Sequence, residues 1–258
     1  PITPPDPGEL LTHAHRGLPL SIPGKFRRIT MASVALLFVG AVLLINGLVL
    51  LDRIEGKAAI PLNLLVGALL MMTALLQVLS VPPSSVDFRS AAFAAVGFTL
   101  FGFTYLTVGA NSLFGGSGSA LGWYCGWAAG ISMVLASVNF AGSTDLPMAW
   151  LWASWSVLFI AFFLALTTGK KQLASAAGVL AILQSATTTS IPGLMMINGS
   201  WSTVSVTVIA VVQIAAVLVY IAVAGALTLR PRADAPSLPV LSRASATRMS
   251  PTSDRVSP

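Results

Sequence analysis

The sequence predicts an all-α fold, a polytopic transmembrane helix bundle of about seven spanning helices, and three observations carry that prediction. Hydrophobic residues make up 55% of the 258-residue chain and charged residues only 9%, where a soluble domain carries about a quarter charged. The charges also avoid the interior of the chain. Between Met31 and Leu229 there are nine, namely Asp52, Arg53, Glu55, Lys57, Asp87, Arg89, Asp145, Lys170 and Lys171, each in a short gap between apolar runs. Finally, seven of those runs reach the roughly 20 residues that a helix needs to cross a bilayer. Their continuous hydrophobicity excludes a membrane barrel, whose strands would alternate.

In chain order, residues 1–30 come first. They hold Pro1, Pro4, Pro5, Pro7, Pro19 and Pro23, both histidines (His13 and His15) and a basic cluster, Lys25, Arg27 and Arg28. A basic cluster before an apolar run imitates a signal peptide. The run is about 19 residues, however, longer than an h-region of 7–15, and no small-residue cleavage site follows promptly. It therefore reads as a spanning helix. Residues 1–30 read as a disordered arm, with Met31, the first methionine, as the expected start of the native chain. The seven runs then fall at approximately 33–51, 61–81, 91–110, 120–140, 148–168, 173–197 and 203–229, each about the length a span requires. Residues 31–229 are thus the expected transmembrane channel domain. Residues 230–258, rich in Arg, Ser and Pro, cannot build a core and read as a disordered basic cytoplasmic tail.

The net charge of +6 does not point to nucleic acid, because the basic residues sit in the tails and in loops flanking helices, where membrane topology places them. With seven spans, the Arg53/Lys57 loop, the Lys170/Lys171 loop and the tail (Arg230, Arg232, Arg243, Arg248, Arg255) share one face. That face carries nine basic residues, against Arg89 alone on the other, or five if residues 1–30 are counted. The excess of Lys and Arg marks the cytoplasmic side. The expected protein is integral to the inner (plasma) membrane, with its N-terminus out and its C-terminus in the cytoplasm.

No Asp, Glu, Lys, Arg or His lies inside a run. Proton-coupled carriers and pumps use titratable groups within the membrane, and charged rings select ions, so both classes are disfavoured. A narrow apolar slot with a few hydrogen-bonding groups still suits a neutral solute. Asn46, Asn63, Thr104, Asn111, Asn139 and Gln184 supply such groups, although each taken singly reads as a helix-to-helix bond or a cap. Phe101 and Tyr105 are spaced i, i+4, and Trp152, Trp155 and Phe159 fall at i, i+3, i+7, so each set shares one helix face. Bundle packing and pore lining both fit that spacing. Gly122, Gly126 and Gly130 overlap as two G-x-x-x-G motifs, which bring a neighbouring helix close, from this chain or another. Pro192 should kink or break the sixth helix. Cys125, the single cysteine, offers neither a disulfide nor a metal cluster. No cofactor is expected, and no base, metal cluster or activated nucleophile pairs with a pocket as an enzyme would require.

Three segments carry a resemblance. Leu36-Leu37-Phe38-Val39-Gly40-Ala41-Val42-Leu43-Leu44-Ile45-Asn46-Gly47, Leu100-Phe101-Gly102-Phe103-Thr104-Tyr105-Leu106 and Leu151-Trp152-Ala153-Ser154-Trp155 resemble, in order, motifs of the first, third and fifth helices of the AmiS/UreI family of amide transporters and urea channels. The likeness runs from about Met31 to Trp201, and the seven runs fit the amide-transporter branch. It implies a homo-oligomer, hexameric in the urea channel, in which each protomer has its own pore. It also implies a pore wall taken largely from the first, third and fifth helices: Leu36, Val39, Phe101, Tyr105, Trp152, Trp155, Leu158 and Phe159, with Thr104 and Gln184 as polar lining. A two-helix hairpin repeat is expected, weakly echoed in Asn46-Gly47 and Asn111-Ser112 at the ends of the first and third helices. The chain departs from the urea channel at Phe159 and Gln184, where that channel has tryptophan and glutamate, and has no counterpart of its acid-gating histidines.

The expected function is passive conduction of urea and short-chain aliphatic amides into the cytoplasm, feeding an amidase or urease and not gated by acid. A proton-coupled amide carrier and a non-transporting membrane scaffold or sensor are the alternatives.

Overall fold

The computed structural model describes the backbone of residues 24–142 and 145–229, and their side chains from Met31 onward. The expected tail, both histidines and all of the expected arm except residues 24–30 lie outside that range. Every regular element among the described residues is helical. Five long helices come first: α1 Gly24–Leu50, α2 Ile60–Leu79, α3 Phe88–Phe114, α4 Ser119–Gly142 and α5 Leu146–Thr168. The sixth run is built in three pieces, α6 Lys171–Gln184, a π-helical segment Ser185–Ser190 and α7 Ile191–Asn198; α8 Val206–Leu229 completes the bundle. Seven stretches of these helices are long and apolar enough to cross a membrane, and they coincide with the seven runs of the sequence. The first helix begins at Gly24, so its backbone passes through Met31 without a break.

Local chemistry sets the helix ends. Gly115 (φ +72°) and Gly169 (φ +64°) close α3 and α5 in the left-handed conformation, which glycine adopts without a Cβ clash. Asp145 caps the start of α5 by accepting from the Met148 amide at 3.0 Å. Its second carboxylate oxygen accepts from the Trp201 indole at 3.2 Å, which ties the loop after α7 to the start of α5. In the sixth run, Pro192 has no N–H to offer the preceding turn. The chain meets this with the widened π turn Ser185–Ser190 and starts a fresh helix at Ile191, with the proline in its first turn.

In a bilayer, close packing of small residues holds helices together, because lipid is as apolar as the side chains. The most extensive pairings are α2 with α3, α4 with α5, and α1 with the three-piece sixth span. The hairpin repeat is therefore α2/α3 and α4/α5, and α1 closes on the sixth span. Each pair is seamed by glycine: a methyl group on Gly67 would lie 2.7 Å from Leu106 Cγ, one on Gly126 3.0 Å from Phe163 Cδ2, and one on Gly47 2.9 Å from the Gly178 carbonyl oxygen. Gly122 and Gly126 thus find their neighbour within this chain, on α5, and Gly130 faces open space. Asn46 and Asn63 exchange reciprocal side-chain bonds of 2.9 and 2.8 Å between α1 and α2. Their job is the helix-to-helix bond.

Two buried clusters result. One gathers the aromatic residues of α3 and α5 with Leu36 and Val39 of α1. The other is rich in alanine (Ala161, Ala165, Ala176, Ala177, Ala181, Ala216) and contains Leu43, Leu158 and Tyr220. α8 buries one stripe, Ile209, Gln213, Ala216 and Tyr220, and turns Val208, Val211, Ile214, Leu218 and Ile221 outward, where only lipid or another apolar surface suits them.

Candidate functional site

α1, α3 and α5 all begin at one end of the bundle, and there the helices enclose a cavity of about 560 Å³. Arg89 and Ser90 from the start of α3, Gly142 from the end of α4 and Met148 from the start of α5 stand at its mouth. Arg89 is exposed there. Most of the remaining wall is apolar, with Leu36 and Val39 of α1, Leu70 of α2, Phe98 of α3 and Leu135 of α4, and the amides of Gln77 and Asn139, near the ends of α2 and α4, interrupt it. The cavity ends on Phe101, Trp152 and Trp155.

Those three rings form one assembly. The Trp152 and Trp155 centroids are 4.7 Å apart and nearly perpendicular, at 86°. Phe101 meets Trp155 edge-on at 5.2 Å and 79°, and lies 5.2 Å from Phe159. One turn further along α3, Tyr105 stacks below Phe101 at 6.3 Å. Such edge-to-face and offset geometries are the favoured ones for aromatic quadrupoles. Gly97 makes room for the outermost ring, because a methyl group there would sit 2.5 Å from Trp152 Cη2 and Cζ2.

Polar groups lie behind and beyond the rings. The Trp155 indole N–H donates to Thr188 Oγ1 in the π segment at 3.0 Å, and Thr188 donates to the Gln184 backbone carbonyl at 2.7 Å. The Gln184 side-chain amide donates to the carbonyl and the hydroxyl of Ser154 at 3.0 and 2.9 Å. Its own oxygen, like the Tyr105 hydroxyl, is buried with no hydrogen-bond partner among the described residues. At the opposite end of the bundle Asp52 and Lys171 form an exposed ion pair at 2.6 Å, a kind worth little in water.

Of the residues expected in the wall, Leu36, Val39, Phe101, Trp152 and Trp155 line the cavity. Tyr105 and Phe159 pack against its floor in the same cluster. Leu158 is one residue from Phe159 and so points elsewhere, into the alanine-rich cluster. Thr104 donates to the Leu100 carbonyl of its own helix at 2.8 Å, and Gln184 stands behind the rings. α2 and α4 also supply wall, through Leu70, Gln77, Leu135 and Asn139, where the resemblance implied mainly α1, α3 and α5. Gln77 was legible as an amide late in the second run. Thr188 was hidden, because one threonine in the run Thr187-Thr188-Thr189 carries no mark of facing an indole.

The family model described as AmiS/UreI family transporter matches residues 31–200. This chain belongs to the AmiS/UreI family. A putative transporter protein, AmiS2, from Rhodococcus erythropolis is 38% identical over 173 residues, 67% of this chain and 82% of the relative. A putative amidate substrates transporter protein from Mycolicibacterium smegmatis is 37% identical over 190 residues, 73% of this chain and 87% of the relative. Among solved structures, the urea channel of the human gastric pathogen Helicobacter pylori superposes with a TM-score of 0.57 at 24% identity, covering 66% of this chain and 99% of the channel. A closed-state structure of the Helicobacter pylori urea channel gives the same score at 26% identity, covering 66% and 98%. This member of the AmiS/UreI family is thus an integral membrane transporter and not an enzyme.

Proposed function

We propose that the chain conducts urea and short-chain aliphatic amides passively through its own helix bundle, across the constriction formed by Phe101, Trp152 and Trp155. One observation carries this reading: a largely apolar cavity ends on a layer of aromatic rings, and the one charged residue lining it, Arg89, stands at its mouth. A neutral planar amide can slide between ring faces and exchange its hydration for a few polar groups, whereas an ion would lose its hydration without compensation. Gln77 and Asn139 meet the solute in the vestibule, and the Tyr105 hydroxyl supplies a donor to a solute carbonyl beyond the rings.

The distribution of Lys and Arg turns the cavity mouth outward across the plasma membrane, with Asp52 and Lys171 at the cytoplasmic end. Solute would then reach a cytoplasmic amidase or urease. On this reading the working unit is a ring of such protomers, each conducting separately. The test is flux into liposomes containing the purified protein. Urea and acetamide should equilibrate faster than in protein-free liposomes, and Phe101→Ala should change the ratio of the two rates in protein that still inserts and assembles. Rates equal to those of bare liposomes would refute the reading.

A further inference from the structure

The seventh span, α8, begins after the stretch that matches the family. The stripe it buries against the bundle contains one amide side chain, Gln213, which is only 2% exposed. The Gln213 amide nitrogen donates to the Thr187 backbone carbonyl of the π segment at 3.3 Å, and its oxygen accepts from the Ser154 hydroxyl of α5 at 3.0 Å. Ser154 Oγ and the Ser154 carbonyl in turn accept from the Gln184 amide.

The sense of this chain of bonds is fixed at both ends. A backbone carbonyl only accepts, so Thr187 dictates which way the Gln213 amide faces, and the Ser154 carbonyl dictates the same for Gln184. Between them, the Ser154 hydroxyl has to point its hydrogen at Gln213. The two segments clamped this way are the ones that hold the Trp155 indole. Ser154 is its neighbour on α5, and Thr187 adjoins Thr188, the acceptor of the indole N–H. The π segment has already given up regular α-helical bonding, so an outside partner has more say in its position than it would in an unbroken helix.

We propose that Gln213 is a positioning residue for the constriction: from the seventh span it holds the Thr187–Thr188 turn against Ser154, and so sets where the Trp155 ring stands and how wide a solute passes. This rests on the conduction reading above, and Gln213 itself touches no solute. Replacing it with methionine, similar in length and suited to a lipid-facing helix, leaves the Thr187 carbonyl and the Ser154 hydroxyl without their partner. The Ser154 hydroxyl then turns to its own helix, as serines in spans do, and the Trp155–Thr188 contact loosens.

The experiment compares urea and butyramide flux through wild type, Gln213→Met, Thr188→Val and the double variant in liposomes, normalised to folded protein. The expected result is a severalfold rise in the butyramide-to-urea ratio for Gln213→Met, which shrinks in the Thr188→Val background because both changes act on the same ring. If Gln213→Met does not fold, Ser154→Ala removes the hydroxyl that joins Gln213 to α5 while leaving the Thr187 bond, and the same rise is expected. An unchanged ratio, or two rates falling in parallel, would make Gln213 a packing residue and overturn the proposal. A rise that persists undiminished with Thr188→Val would overturn the route through Trp155. Failure of the wild-type protein to conduct either solute would instead refute the conduction reading, and this inference with it.

Discussion

The Trp155 indole nitrogen donates to Thr188 Oγ1 at 3.0 Å, so the ring at the constriction is pinned to the π turn of the sixth span. Thr188→Val keeps the volume and removes the acceptor. A buried N–H left without a partner costs roughly 1–3 kcal/mol. Thermal unfolding in detergent should show that loss for Thr188→Val, and Thr188→Ser should restore most of it. An unchanged unfolding temperature for the valine variant would mean that the indole finds another acceptor.

Tyr105 has the opposite arrangement. Its hydroxyl is buried beyond Phe101 without a partner among the described residues. Tyr105→Phe should therefore leave stability equal or raise it by about 1 kcal/mol, since an unpaired buried hydroxyl is a burden to the fold. Flux of urea and acetamide should fall, because the passing carbonyl loses a donor. Lower stability with unchanged flux would identify the hydroxyl as a structural group.

Asn46 and Asn63 test the bundle itself. Their two reciprocal bonds join α1 to α2. Asn46→Leu alone leaves Asn63 short of a partner and should lower stability by about 1–3 kcal/mol, whereas the double change to leucine should recover most of the loss. Unfolding midpoints of the three variants provide the comparison. Additive losses in the double variant would contradict the pairing.

Flux should be nearly flat between about pH 5 and 7.5, because histidine is the side chain whose ordinary pKa, about 6.5, falls in that window. Residues 31–229 contain none. Measuring urea uptake across the window with a chain starting at Met31 checks this, and a severalfold rise on acidification would reveal a sensor of another kind.

Much of this structure was legible in the sequence because hydrophobic length and charge avoidance are one-dimensional signals. The seven spans needed only those, and Gly122 and Gly126 already announced a close neighbour. Phe101, Trp152 and Trp155 could be named because spacing put them on shared faces and because short motifs resembled a known family. Spacing could not say that α5 turns Leu158 away from Phe159 into a separate cluster, since neighbouring residues on a helix diverge by about 100°. Nor could it assign Gln213. A glutamine in an apolar helix declares that some partner exists, and only the packed bundle identifies Ser154 and Thr187 as the groups it joins.

The central claim is uncoupled conduction, and the most direct measurement is solute accumulation in liposomes under an imposed proton gradient. With no Asp, Glu, Lys, Arg or His inside any of the seven apolar runs, the protein lacks the usual side chains that link proton movement to solute within the membrane. The account predicts that internal urea and acetamide rise to the external concentration and stop there, at a rate the same with or without the gradient. Accumulation above the external concentration that collapses when a protonophore is added would contradict it and make the protein a coupled carrier.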